Sequence, residues 1–245
     1  MTDTCKAITE LLGCDFEYFS AAAGGRAIYR RYKMLARQGE SGGYVPLVVY
    51  VTETLLEALL DNLAGAGVQS CVAYRDKLLP KAESINAIAL LQTRFSAGVA
   101  EQEPSRLLGG FVNVRTIEGE QKLCVSCRNN AREVLIAKFP ARAPWELPLL
   151  LPMGGFNDCP LPWEQAAVFR FWHESYGAVP VVAGYDVWEL RVTRPPMQLV
   201  EAEQLALQQF AFDYDLVLEA GKDADSIRAL ASHLREAKAW YFWWD

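Results

Sequence analysis

Residues 162–192 read PWEQAAVFRFWHESYGAVPVVAGYDVWELRV, and this stretch decides the fold class. Pro162 and Glu164 suit the first turn of a helix, where a missing N–H is tolerated and a carboxylate faces the positive end of the dipole. Val168, Phe169, Trp172 and Tyr176 continue that helix, and Gly177 stops it. Val179–Ala183 and Val187–Val192 then read as two strands around Gly184-Tyr185-Asp186, a hairpin signal. Helix and hairpin side by side imply an α+β architecture, with a mixed or antiparallel sheet packed by helices. Upstream, Pro152–Pro160 is a loop by its Gly, Asn, Asp and Pro content. Downstream, Pro195-Pro196 breaks the chain, and Leu199, Ala202, Leu205 and Ala206 mark a helix. Asp225 or Ser226 caps another, with Ile227, Leu230, Ala231 and Leu234 at helical spacing. The sequence closes on Trp240-Tyr-Phe-Trp-Trp-Asp245. As a strand it points Trp240, Phe242 and Trp244 to one side and Tyr241 and Trp243 to the other. A strand apolar on both sides is expected to lie centrally, covered on both faces.

The first forty residues read as helical. Arg26, Arg30, Lys33 and Arg37 share one helix face, and Ile28, Tyr32 and Leu35 share another. With Arg31 the four cations form the one basic patch; phosphate, nucleic acid or an acidic partner would suit it, and a solvated helix face is the favoured reading. Val45–Val51 is a buried strand, Thr54 and Glu57 have capping-box spacing, and Leu55, Leu56, Leu59, Leu60 and Leu63 precede helix-ending glycines at 65 and 67. Gln69–Tyr74 reads as a second strand, giving a small α/β unit. A helix is expected over 83–99, a hairpin of Phe111–Ile117 with Gln121–Cys127, and a strand over 133–139. All seven tryptophans lie between Trp145 and Trp244, and prolines gather there too. That shift divides the chain into 1–130 and 131–245.

Apolar residues make up 51% and charged residues 22% of the 245, a globular composition. The formal charge is −6. Phosphate binding runs on clustered cations, so no nucleic-acid partner is expected. No apolar run approaches the length of a bilayer span. Met1–Glu10 holds Asp3, Lys6 and Glu10 and lacks the apolar core of a signal peptide. The expectation is a soluble, cytoplasmic protein without a membrane partner.

Six cysteines and two histidines limit the chemistry. In a chain of this length without a signal, reduced buried thiols are expected. Cys124 and Cys127 form one C-x-x-C, but a structural zinc site needs four ligands, and only Cys159 and His173 stand near, at irregular spacing. Their context alternates like a strand. His173 and His233 fit surface or cap positions. Phosphate-loop, H-E-x-x-H, G-x-S-x-G and EF-hand motifs are absent, and neither metal nor cofactor is expected. Asp213 and Asp215, two apart, would share one face of a strand, where solvated acids outweigh a cation site. Cys159 is the one thiol placed to act as a nucleophile, just before a helix N-terminus that can lower its pKa. The adjacent Asp158 opposes that shift, and His173 lies roughly 20 Å along the helix. A packed loop cysteine is the favoured reading.

The second half resembles a known family. Pro144-Trp-Glu-Leu-Pro148, Gly154-Gly-Phe-Asn-Asp-Cys-Pro160 with its helix, Glu189-Leu-Arg-Val192 and the terminal aromatic run look like the bacterial family catalogued as domain of unknown function 4253. The matching positions include Asn157, Cys159, Trp172, Trp243, Trp244 and Asp245. The resemblance implies a functional face and no reaction, and the first 130 residues carry none. Pro196–Asp245 holds nine acids against four bases. An acidic surface with aromatic neighbours suits a basic protein, through steering and anchoring. The expected function is therefore protein binding without catalysis, and in its finer form an immunity protein that neutralises a nuclease-type toxin. The binding candidates are Asn157, Asp158, Cys159, Glu201, Glu203, Asp213, Asp215, Trp243, Trp244 and Asp245. The alternative is an enzyme or small-ligand binder centred on Met153–Pro160 and the terminal aromatics.

Overall fold

The structure is a computed structural model that describes residues 1–100, 102–114, 132–221 and 225–244. Its elements are α1 (Asp3–Leu12), β1 (Asp15–Phe19), α2 (Gly25–Gly42), β2 (Val45–Tyr50), α3 (Glu53–Ala66), α4 (Cys71–Ser84), α5 (Ala87–Gly98) and α6 (Pro104–Leu108). After them come β3 (Val134–Phe139), a 3₁₀ turn (Pro144–Glu146), α7 (Leu147–Leu150), α8 (Pro162–Tyr176), β4 (Val179–Ala183) and β5 (Val187–Arg191). The last four are α9 (Leu199–Phe212), α10 (Asp215–Leu218), α11 (Ile227–Leu234) and β6 (Ala239–Trp243). The strands form one mixed sheet in the order β1-β3-β2-β4-β5-β6. Only β2 and β4 pair in parallel; the other pairs are antiparallel. The fold is α+β, and strands from 1–130 and 131–245 share the sheet.

Alternation along β2 shows why it is central. Leu47 and Val49 face one apolar cluster, and Val48 and Tyr50 face the other. Among the described residues the second cluster is closed by α2, through Ile28, Tyr32 and Leu35. Against the opposite face lie α1, α3, α4, α5, α8, α9 and α11. There Trp172 of α8 stacks on Phe242 of β6 with centroids 5.4 Å apart, and meets Phe212 of α9 edge-on at 5.1 Å. Its indole N–H donates to Gln208 at 3.1 Å, so the buried ring leaves no orphaned donor.

The second half follows its punctuation. α8, the β4–β5 hairpin, α9 and the Ser226-capped α11 stand where the sequence sets them. Several expectations in the first half are corrected. Strand β1 interrupts the expected helix, as an edge strand paired with β3. Gln69–Tyr74 is no strand: the Ser70 hydroxyl accepts from the Ala73 N–H at 3.2 Å and starts α4. Of the small α/β unit, β2 and α3 stand, and the second strand gives way to α4. Thr52, not Thr54, caps α3. Phe111–Val114 has no regular structure, and the rest of the expected hairpin, with Cys124 and Cys127, lies outside the described residues.

Strand β6 is also corrected, because it is an edge strand. Its two sides nevertheless differ as the alternation requires. Trp240, Phe242 and Trp244 are buried, whereas Tyr241 is 37% exposed. No helix among the described residues is long and apolar enough to cross a membrane. Urea unfolding should separate the two sides of β6. Phe242→Ala is expected to cost about 3–5 kcal/mol by opening a cavity against Trp172, and Tyr241→Ala about 1 kcal/mol or less.

Candidate functional site

The loop Pro152–Pro160 is held by one side chain. Gln165, fully buried in the first turns of α8, donates its amide N–H to Pro160 O at 2.7 Å and to Met153 O at 3.0 Å. Its carbonyl accepts the indole N–H of Trp188 on β5 at 2.8 Å. A buried amide so completely satisfied fixes loop, helix and sheet together. Gly154 has φ +105°, and a Cβ there would run into the Gln165 amide and the Pro160 carbonyl. Only glycine fits the clamp. Within the loop, Gly155 N donates to Cys159 O at 3.2 Å and Cys159 N to Phe156 O at 2.9 Å. Phe156 stacks on Tyr185 of the β4–β5 turn, 4.5 Å between centroids. Asn157 and Asp158 project into solvent at the tip.

Arg94 of α5 braces the same corner. Its guanidinium donates to three main-chain carbonyls, of Ala211 at 2.8 Å, Phe212 at 3.3 Å and Asp158. Tyr214 closes the contact by donating its hydroxyl to Arg94 O at 2.6 Å. Asp213, at the end of α9, is buried. It accepts the backbone N–H of Trp243 at 3.0 Å and that of Asp215 at 3.1 Å. Trp243 in turn donates its indole N–H to Asp186 at 3.0 Å. Burial pushes the Asp213 carboxyl up to about 8, the Asp215 charge adds to the rise, and the backbone donors of Trp243, Asp215 and Leu216 oppose it.

The candidates separate into three groups. Asn157, Asp158, Cys159, Asp213, Asp215 and Trp243 meet at this corner. Glu201 and Glu203 do not: they sit at the other end of α9. Glu201 caps the N–H groups of Met197 and Gln198, and Glu203 pairs with Arg228 at 3.0 Å. Trp244 is buried in the aromatic core beside Phe212 and Phe242, which removes it as a contact residue. Asp245 lies outside the described residues.

One chemical expectation is corrected, and the packed reading of Cys159 agrees with its burial. The pair Asp213 and Asp215 does not lie on a strand: Asp213 ends α9 and Asp215 begins α10, and Asp213 is not solvated. The dipole of α8 does not activate Cys159. Burial pushes that thiol well above its ordinary pKa, and Asp213 and Asp186 reinforce the rise against the Gly155 N–H and Arg94. His173 lies at the far end of α8, its Nδ1 3.0 Å from Ala178 O. Among the described residues no group of three or more His, Cys, Asp or Glu could hold a metal ion.

Gln165, Arg94, Tyr185 and Asp186 were missed from the sequence. Gln165 had one signal, an amide among the apolar residues of a buried helix face. The others meet only through the fold.

An α+β domain whose separate motifs build one clamped corner is the class that fold and site define. Residues 135–245 match the family model described as Domain of unknown function (DUF4253), so the resemblance of the second half holds over those residues. No curated protein and no solved structure matches the chain.

Two outcomes test the corner. Gln165→Leu orphans the Trp188 N–H and two carbonyls, at about 1–3 kcal/mol for each buried group. Peptide mapping after iodoacetamide treatment at pH 8 should then show Cys159 labelled much faster than in the parent. Asp213 has a folded pKa above its unfolded one, so its contribution is complete below about pH 4 and is lost as pH rises toward about 8. Asp213→Asn should flatten that part of the curve of unfolding free energy against pH.

Proposed function

We propose that the chain is a protein-binding module whose clamped corner receives a basic partner. The convergence of Asp158, Asp186 and Asp215 around the Cys159 loop carries this reading; Asp213, buried and raised to about 8, adds little charge at neutral pH. Arg94, a cation that bears on both Cys159 and Tyr214, turns its guanidinium to main-chain carbonyls rather than to a carboxylate. Negative potential on a rigid frame speeds encounter with a basic surface, and a loop already ordered loses little entropy on binding. Phe156 and Tyr185 supply aromatic contact area beside the charges. In its finer form the reading is a cytoplasmic immunity protein that covers a nuclease-type toxin, since nucleases carry basic surfaces for phosphate. The enzyme alternative loses support at Cys159, whose thiol is buried and protonated.

Affinity capture from native cells at low salt is expected to yield a stoichiometric basic protein whose isolated nuclease activity the chain inhibits. With that partner, Asp158→Lys should lower the association rate about tenfold at low salt and little at high salt. An unchanged rate would remove the corner from the interface.

A further inference from the structure

Helix α2 carries a second charged surface, unlike the first. Arg26, Arg30, Lys33 and Arg37 are all exposed and run along the side opposite buried Ile28, Tyr32 and Leu35. Among the described residues none of the four pairs with a carboxylate. Arg31, off that line, is the one taken internally, by Glu17 of β1. Glu40 is the only acid in α2. At a rise of 1.5 Å per residue the four cations span roughly 16 Å of helix crest. Arg191, exposed at the end of β5, lies near the same helix: burial raises the Tyr32 hydroxyl and the Arg191 charge opposes it.

The sheet keeps this surface apart from the acidic corner. α2 closes one face, while α9 and the loop before α8 pack on the other. The net charge of −6, which argues against nucleic acid, is therefore an average over two faces of opposite sign.

We propose that the crest of α2 binds the phosphate backbone of double-stranded nucleic acid, without sequence preference. Arginine forks suit phosphate oxygens, and three of the four cations are arginine. A helix about 10–12 Å across matches a major groove about 12 Å wide. Single strands are held by grooves with stacking rings; the cations here stand on one helix, and Tyr29 on its flank is already stacked on Tyr32 with Lys33 over its ring at 5.1 Å. A membrane helix must turn its apolar side to lipid, and that side of α2 is buried in the core. An acidic protein would need a cluster of anchors at the centre of the contact, and beside the four cations α2 exposes one large apolar side chain, Met34.

The test is fluorescence anisotropy of the full chain with a labelled mixed-sequence 24-bp duplex across a salt series. Four phosphate contacts predict a slope of log K against log salt of about −3.6. Arg30→Glu/Arg37→Glu, at positions without described ion pairs, should leave the thermal midpoint unchanged and weaken binding at low salt at least tenfold. Poly-glutamate and vesicles containing phosphatidylserine serve as competing probes. Failure to bind duplex at low salt, binding indifferent to the double variant, or equal binding of either competitor with the same sensitivity would each overturn the proposal. Asp158→Lys should leave duplex binding undiminished, so this surface and the acidic corner can fail separately.

Discussion

Strand β2 occupies the slot between β3 and β4, and the sheet is registered on it. Residues 45–50 meet all of β3 on one side and Val182 and Ala183 of β4 on the other. The family match begins at residue 135, inside β3, so the matched segment does not contain the strand that joins its own β3 to its β4. The alternating burial of Leu47, Val48, Val49 and Tyr50 leaves no solvent face on which a one-residue slip could be absorbed. The first half of the chain thus takes part in the core from which the second half presents its loop.

How much of this was legible depended on punctuation. Pro162, Gly177, Gly184, Pro195 and Ser226 mark the ends of elements in the second half, and those elements stand where their marks are. The first half has weaker marks. Phe16 and Tyr18 of β1 are each 37% exposed, so the strand lacks the apolar signature of a buried one. Cys71-Val-Ala-Tyr74 has the composition of a strand, and only the Ser70 cap commits it to a helix. β6 reads as central because five aromatics run together, although only alternate ones face the core. At the site, the loop could be found from its glycines and proline. The clamp could not, since Gln165 meets Trp188 across 23 residues and Asp213 meets Trp243 across 30. Acids counted along the sequence grouped Glu201 with Asp213; one helix holds both, at opposite ends.

The same sheet explains how one modest protein carries two surfaces of opposite sign. Charge on either side is separated by packed apolar layers, through which ions do not screen and side chains cannot reach. Arg31 and Glu17, and Arg228 and Glu203, show what happens where opposite charges do come within reach: they pair and leave the solvent-facing account. What stays in solvent is the crest of α2 on one side and Asp158 at the loop tip on the other. Net charge describes neither.

The bond from Trp243 to Asp213 has a meaning beyond the corner it helps to build. Among the described residues β6 pairs with β5 alone, and Trp243 N–H points away from that partner, along the edge of the sheet. An unpaired edge is a template on which a foreign strand can add. By accepting that N–H, the carboxyl of Asp213 occupies a donor that an added strand would need. The residue that fastens the terminal strand is thereby also a guard against aggregation.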